Sequence, residues 1–110
     1  MAVINQVTIS NGGTTSPAQP ALPTSPAQSL LIMAPAALTG TVSVEVAPVA
    51  GGTYRTLQSN GADVTIAAGK ATQITVLCGC AWRLKSGSAE GADRTFDIVQ
   101  NAINGQWGAP

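Results

Sequence analysis

Valine at 42, 44 and 46 alternates with Thr41, Ser43 and Glu45 in the stretch TVSVEVA. A period of two is that of a strand with one face buried, so the three valines are predicted to point inward. The same alternation returns along the chain. SLLIMA (29–34) reads as a buried run, TYRTLQ (53–58) as a short strand, and DVTIA (63–67) points Val64 and Ile66 inward. ATQITVL (71–77) does so with Ile74 and Val76, AWRLKS (81–86) with Trp82 and Leu84, and RTFDIVQ (94–100) with Phe96 and Ile98. No stretch carries an apolar repeat near 3.6 residues, so no helix is predicted.

Between the runs stand turn signals. Gly51–Gly52, Asn60–Gly61 and Ala68–Gly69–Lys70 separate successive strands. Asn-Gly between Leu57 and Val64 marks a two-residue hairpin, because both turn positions need positive φ. Turns every 8–12 residues between short alternating strands predict an all-β fold. The expected architecture is a single antiparallel β-sandwich or small barrel of about seven strands, over residues 29–100.

The ends read differently. MAVINQVTIS places Val3, Val7 and Ile9 on one side of a strand of about seven residues, with Ile4 and Thr8 on the other. The turn signal Asn11–Gly13 ends it. SPAQPALPTSPAQ (16–28) then carries Pro17, Pro20, Pro23 and Pro26, one every third residue. The polyproline helix has three residues per turn, so these prolines line one face of a rod of roughly 30 Å. Residues 1–28 are therefore expected to form an extended N-terminal arm, and 101–110 a C-terminal tail. Strand addition by Val3, Val7 and Ile9 to a neighbour's sheet edge, with the proline rod spanning between subunits, is the expected use of the arm. Trp107, in the glycine-containing tail, is the expected anchor for a neighbouring subunit's pocket.

Charge sharpens this picture. The 110 residues carry five basic and five acidic side chains, all between Glu45 and Asp97. A balanced chain has no electrostatic reason to seek nucleic acid or an anionic membrane. Uncharged ends are cheap to bury against a partner, since no ion is desolvated. The most apolar run, Leu30 to Leu38, is too short to span a bilayer and is broken by Pro35. No secretory signal pattern opens the chain, so a cytoplasmic start is expected.

Candidate chemistry is sparse. There is no histidine, and the carboxylates Glu45, Asp63, Glu90, Asp93 and Asp97 are scattered. Glu90 and Asp93 share a loop but lack the alternating oxygens of a calcium site, which predicts a solvated turn with Asp93 beside Arg94. Cys78 and Cys80 flank one glycine, too close for an unstrained bridge and short of two zinc ligands. AGKAT (68–72) lacks the first glycine of a phosphate loop. Trp82 and Phe96 fall on inward parity, and Tyr54 is placed to cap a barrel end or touch a partner. No catalytic residue, cofactor or metal is expected.

The block TGTVSVEVAPVAGGTYRTLQSNGADVTIAAGKATQITVL, followed by WRLKSGSAEGADRTFDI, resembles small β-sandwich virion proteins of tailed bacteriophages. The likeness covers residues 39–98, and rests on the valine strand entering a P…GGTY turn, the GADVT…AGK hairpin and the RLKS…E.ADRTF closing strand. It implies a non-enzymatic role in a virus particle, synthesised in the host cytoplasm. Capsid decoration or cementing is the leading expectation, with copies of the chain and the major capsid protein as partners, and a homo-oligomer such as a trimer by family analogy. A receptor- or glycan-binding fibre module and a tail or head-to-tail component are the alternatives. The loops VAGG, SNGA, AAGK and GSAEGA are small and bland, which disfavours the first of these.

Overall fold

The structure is a computed structural model and describes residues 3–19, 27–49, 51–77 and 80–102. Among these residues ten strands succeed one another: β1 (Val3–Ile9), β2 (Ala27–Met33), β3 (Val42–Ala47), β4 (Arg55–Thr56), β5 (Gln58–Ser59), β6 (Ala62–Asp63), β7 (Thr65–Ile66), β8 (Ala71–Leu77), β9 (Ala81–Ser86) and β10 (Arg94–Ala102). The first sheet has the order β1-β10-β2-β8, antiparallel throughout. In the second, β3 pairs with β9 on one side and with the short β4 and β7 on the other. The fold is the all-β sandwich that the alternation predicts.

The inward parities meet between the sheets. Val7, Ile9, Leu30, Ile32, Ile74, Phe96 and Ile98 come from the first, and Val42, Val44, Ile66, Trp82 and Leu84 from the second. Each of the larger side chains contributes about 1.5–3 kcal/mol by leaving water. SLLIMA is alternating rather than buried throughout: Leu30 and Ile32 point inward, while Met33 is 41% exposed.

Two of the seven expected strands are each broken in two, at Leu57 and at Val64. Both residues turn toward Val44, whose carbonyl accepts from the Leu57 N–H at 2.8 Å and whose N–H donates to Val64 O at 3.3 Å. Beyond that base, β5 and β6 form a small hairpin, Gln58 opposite Asp63 and Ser59 opposite Ala62. Its turn residues Asn60 and Gly61 have φ of 54° and 80°, the paired positive values of a type I′ turn.

The N-terminus departs from expectation. β1 is a full strand of this chain's own sheet, paired with β10 from Val3↔Gln100 to Ile9↔Arg94. Val7 and Ile9 are 2% and 0% exposed, so they are core rather than arm contacts. The domain therefore begins near residue 3 and not at 29, because Phe96 and Ile98 on β10 need apolar neighbours on that side. Residues 14–19 also belong to it. They run along the free side of β9, with bridges Thr15↔Lys85 and Gln19↔Trp82. Three residues separate the first pair from the second on this segment against two on β9, which makes a bulge. Pro17 sits in that bulge, exposed, where no ladder N–H is required. Ser16 N–H donates to Leu84 O, and Ser16 Oγ accepts from Leu84 N–H, both at 2.9 Å. Pro17 is thus part of a sheet margin and not of a free rod, while Pro20, Pro23 and Pro26 lie outside the described residues. β10 runs to Ala102, so only residues beyond it remain of the expected tail.

Two outcomes test this arrangement. Val44→Asp buries an unpaired charge between the sheets and is expected to abolish the cooperative thermal transition. Ile9→Ala is expected to lower unfolding free energy by about 2–5 kcal/mol in denaturant titration; an unchanged midpoint would mean that β1 is not core.

Candidate functional site

The strongest polar cluster is built on Glu90, in the connection between β9 and β10. The residue is 1% exposed. Oε1 accepts from Thr39 N–H at 2.8 Å and from Arg94 Nε at 2.9 Å. Oε2 accepts from Gly40 N–H at 3.0 Å and lies 2.6 Å from Ser86 Oγ, which donates to it. The approach of the Thr39–Gly40 backbone requires glycine at 40, since a Cβ there would overlap Ser86 Oγ and the Ser88 nitrogen. Arg94 reaches on to Thr39 Oγ1 at 3.3 Å. The main chain of Glu90 is engaged too: its N–H donates to Gly13 O at 3.0 Å, and its carbonyl accepts from Gly12 N–H at 2.7 Å.

Burial alone pushes the Glu90 carboxyl up. The Ser86 hydroxyl, the two backbone N–H groups and the Arg94 guanidinium outweigh it and hold the pKa at about 2, from an ordinary 4.5. The expected solvated turn with Asp93 beside Arg94 is thus corrected. Arg94 pairs with Glu90, and Asp93 instead accepts from Asn11 N–H at 2.8 Å. The sequence signal for this was faint: one carboxylate amid small residues, four before an arginine. The cluster has every oxygen committed within the chain, which makes it a clasp and not a place for substrate.

A second polar group lies on the outer face of the second sheet. Glu45 stands opposite Arg83 in the β3–β9 register and pairs with its Nε at 2.8 Å. The guanidinium lies 4.1 Å from the centre of the Tyr54 ring. Arg83 thereby covers Glu45, which is 8% exposed despite its outward parity. Among the described residues, the Tyr54 hydroxyl is buried without a hydrogen-bond partner, as is Trp82 Nε1. Trp82 and Phe96 are in the core as expected.

The remaining feature with binding geometry is a margin. β8 is the outer strand of the first sheet, and among the described residues it pairs only with β2. Beside it the base of the β5–β6 hairpin leaves a groove of about 380 Å³, lined by Leu57, Gln58, Ser59, Val64, Gln73, Ile74 and Thr75. Its walls mix apolar floor with amide and hydroxyl groups, the lining an added strand uses.

Of the residues expected to make contacts, the structure gathers Val7 and Ile9 into the core and sets Val3 against Gln100 in the β1–β10 ladder. Pro17 is exposed at the bulge, while Trp107 and Cys78 lie outside the described residues. Cys80 is half-buried against the core as a free thiol. Sequence reading did not single out β8 as a margin, since strand order is set by pairing between distant segments. Comparison with protein-family models, curated proteins and solved structures finds no match to this chain.

The clasp has a pH signature. A folded pKa below the unfolded value adds stability above pH 4.5 that is lost as pH falls through about 2. The difference corresponds to about 3 kcal/mol at neutral pH. Glu90→Gln is expected to remove that contribution and flatten the dependence between these limits, read by urea unfolding at pH 7, 4 and 2.5. Equal slopes in both proteins would contradict the clasp.

Proposed function

We propose that the chain is a non-enzymatic structural protein of a bacteriophage particle, a decoration or cement subunit working through contacts with copies of itself and the capsid shell. The observation that carries this reading is the pair of uncharged margins of the first sheet. β1 reads VINQVTI and β8 reads ATQITVL, seven residues each, without one ionic side chain. Such margins can be covered by a neighbour at no cost in desolvated charge. Four of the ten charges are spent on internal pairs, Glu45–Arg83 and Glu90–Arg94. Those left, Asp63, Asp93 and Asp97 against Arg55, Lys70 and Lys85, balance. A neutral exterior lacks long-range steering, which suits a subunit held at high local concentration in a lattice. The resemblance over residues 39–98 supports the same reading.

The described aromatic residues do not favour a glycan-binding module. Trp82 and Phe96 are buried, and the Tyr54 ring has Arg83 over its face.

Phage heads assembled without this protein provide the test. The purified chain is expected to co-sediment with them saturably and to raise the temperature at which they rupture. Absence of binding to heads would overturn the decoration role, and binding to tails alone would move the protein there.

A further inference from the structure

We infer that β8 is a self-association edge: two copies of the chain pair antiparallel through Ala71–Leu77 about a two-fold axis at Ile74, joining their first sheets into one.

The reasoning begins with how the other margins are blunted. An open strand edge invites pairing, and proteins guard such edges with charge, proline, bulges, shortness or cover. The free side of β9 is covered by residues 14–19, which carry Pro17 in a bulge. The far side of β3 is divided between β4 and β7, two residues each, with exposed Arg55 on β4. β1 is as uncharged as β8, but it turns directly into the covering segment and is tied to it at one point by Asn5 Nδ2 donating to Gln19 Oε1 at 3.4 Å. Among the described residues β8 has none of these devices: seven residues long, without charge, proline or glycine, and bordered by the groove.

The occupant follows from the strand's own sequence. About Ile74, an antiparallel pair sets Ala71 opposite Leu77, Thr72 opposite Val76, Gln73 opposite Thr75, and Ile74 opposite itself. Every pair is neutral, and in two of them, Thr72 with Val76 and Ile74 with itself, β-branched residues meet, which favours cross-strand packing. Inward parity meets inward parity, so Thr72 and Ile74 of the second copy face the apolar floor at Leu57 and Val64. Gln73 and Thr75 meet on the outer face. Moving the axis to Gln73 would set Lys70 opposite Val76 and waste the strand's far end. A contact of this kind uses the same patch on both subunits, so it closes at two copies.

The inference supplies one self-contact of the kind the particle reading calls for, and rests on that reading only for its setting. Head binding and solution mass therefore fail independently.

Sedimentation velocity of the full chain tests it, with two double variants that exploit the register. Gln73→Lys/Thr75→Lys sets lysine opposite lysine in both outer pairs, and Gln73→Glu/Thr75→Lys sets glutamate opposite lysine. The wild type is expected to pass from monomer to dimer with concentration. The lysine pair is expected to weaken the dimer at least about tenfold and the glutamate–lysine pair to restore it. Hydrogen exchange on the wild type, dilute and concentrated, is expected to show added protection confined to β8, which keeps the test open if a variant unfolds. A wild type monomeric at millimolar concentration overturns the inference. So does an oligomer indifferent to both variants, or exchange protection elsewhere.

Discussion

A single buried carboxylate fixes the corner at which the two sheets are joined. Glu90 takes hydrogen bonds from the Thr39–Gly40 backbone, from Ser86 at the end of β9 and from Arg94 at the start of β10, while its own peptide groups hold Gly12 and Gly13. These groups come from four parts of the chain that no strand ladder joins at that point. A carboxylate there without partners would stay protonated or unfold its surroundings. With them complete, the connection from β2 to β3, the turn after β1 and the β9–β10 loop each have one place to sit. The register of β1 on β10 and of residues 14–19 on β9 both issue from this corner.

Margins are the sandwich's other governing constraint. Short strands in two small sheets and a hairpin have little interior and much edge, so each exposed ladder must be answered. The chain covers the free side of β9 with residues 14–19 and their bulged Pro17, and divides the far side of β3 between two short strands. The proline repeat thus begins as a device for ending a sheet, whatever its remaining members do. Leu57 and Val64 show the same economy: by breaking two strands they free the chain to form a hairpin whose base walls the groove beside β8.

Period-two patterning made the interior legible. Val42, Val44, Trp82, Leu84, Phe96 and Ile98 point where alternation places them, because a strand has only two faces and one is buried. Asn60–Gly61 was readable for a local reason as well, since few sequences favour two successive positive φ values. What sequence hid is what depends on distant partners. Gln6 bonds Asp97 across 91 positions, and nothing near either residue announces the other. Val7 and Ile9 carry the same alternation as any core strand, but the proline repeat after them suggested separation from the domain. Glu90 was misread because a loop of small residues looks solvated until the backbone that folds over it is known. That β8, among the described residues, pairs only with β2 is hidden for the same cause.

The order of the first sheet has a consequence for the newborn chain. β10, the last strand described, lies between β1 and β2, the first two. As the polypeptide leaves the ribosome, β2 can pair with β8, but β1 must wait for β10, which fits between it and β2. Until then Val7 and Ile9 have no strand of their sheet to pair beside. The second sheet, whose β3, β4, β7 and β9 are near neighbours in sequence, has no such delay. Vectorial synthesis thus divides the sandwich in time as well as in space: one layer can form early, and the other is completed in a single late insertion.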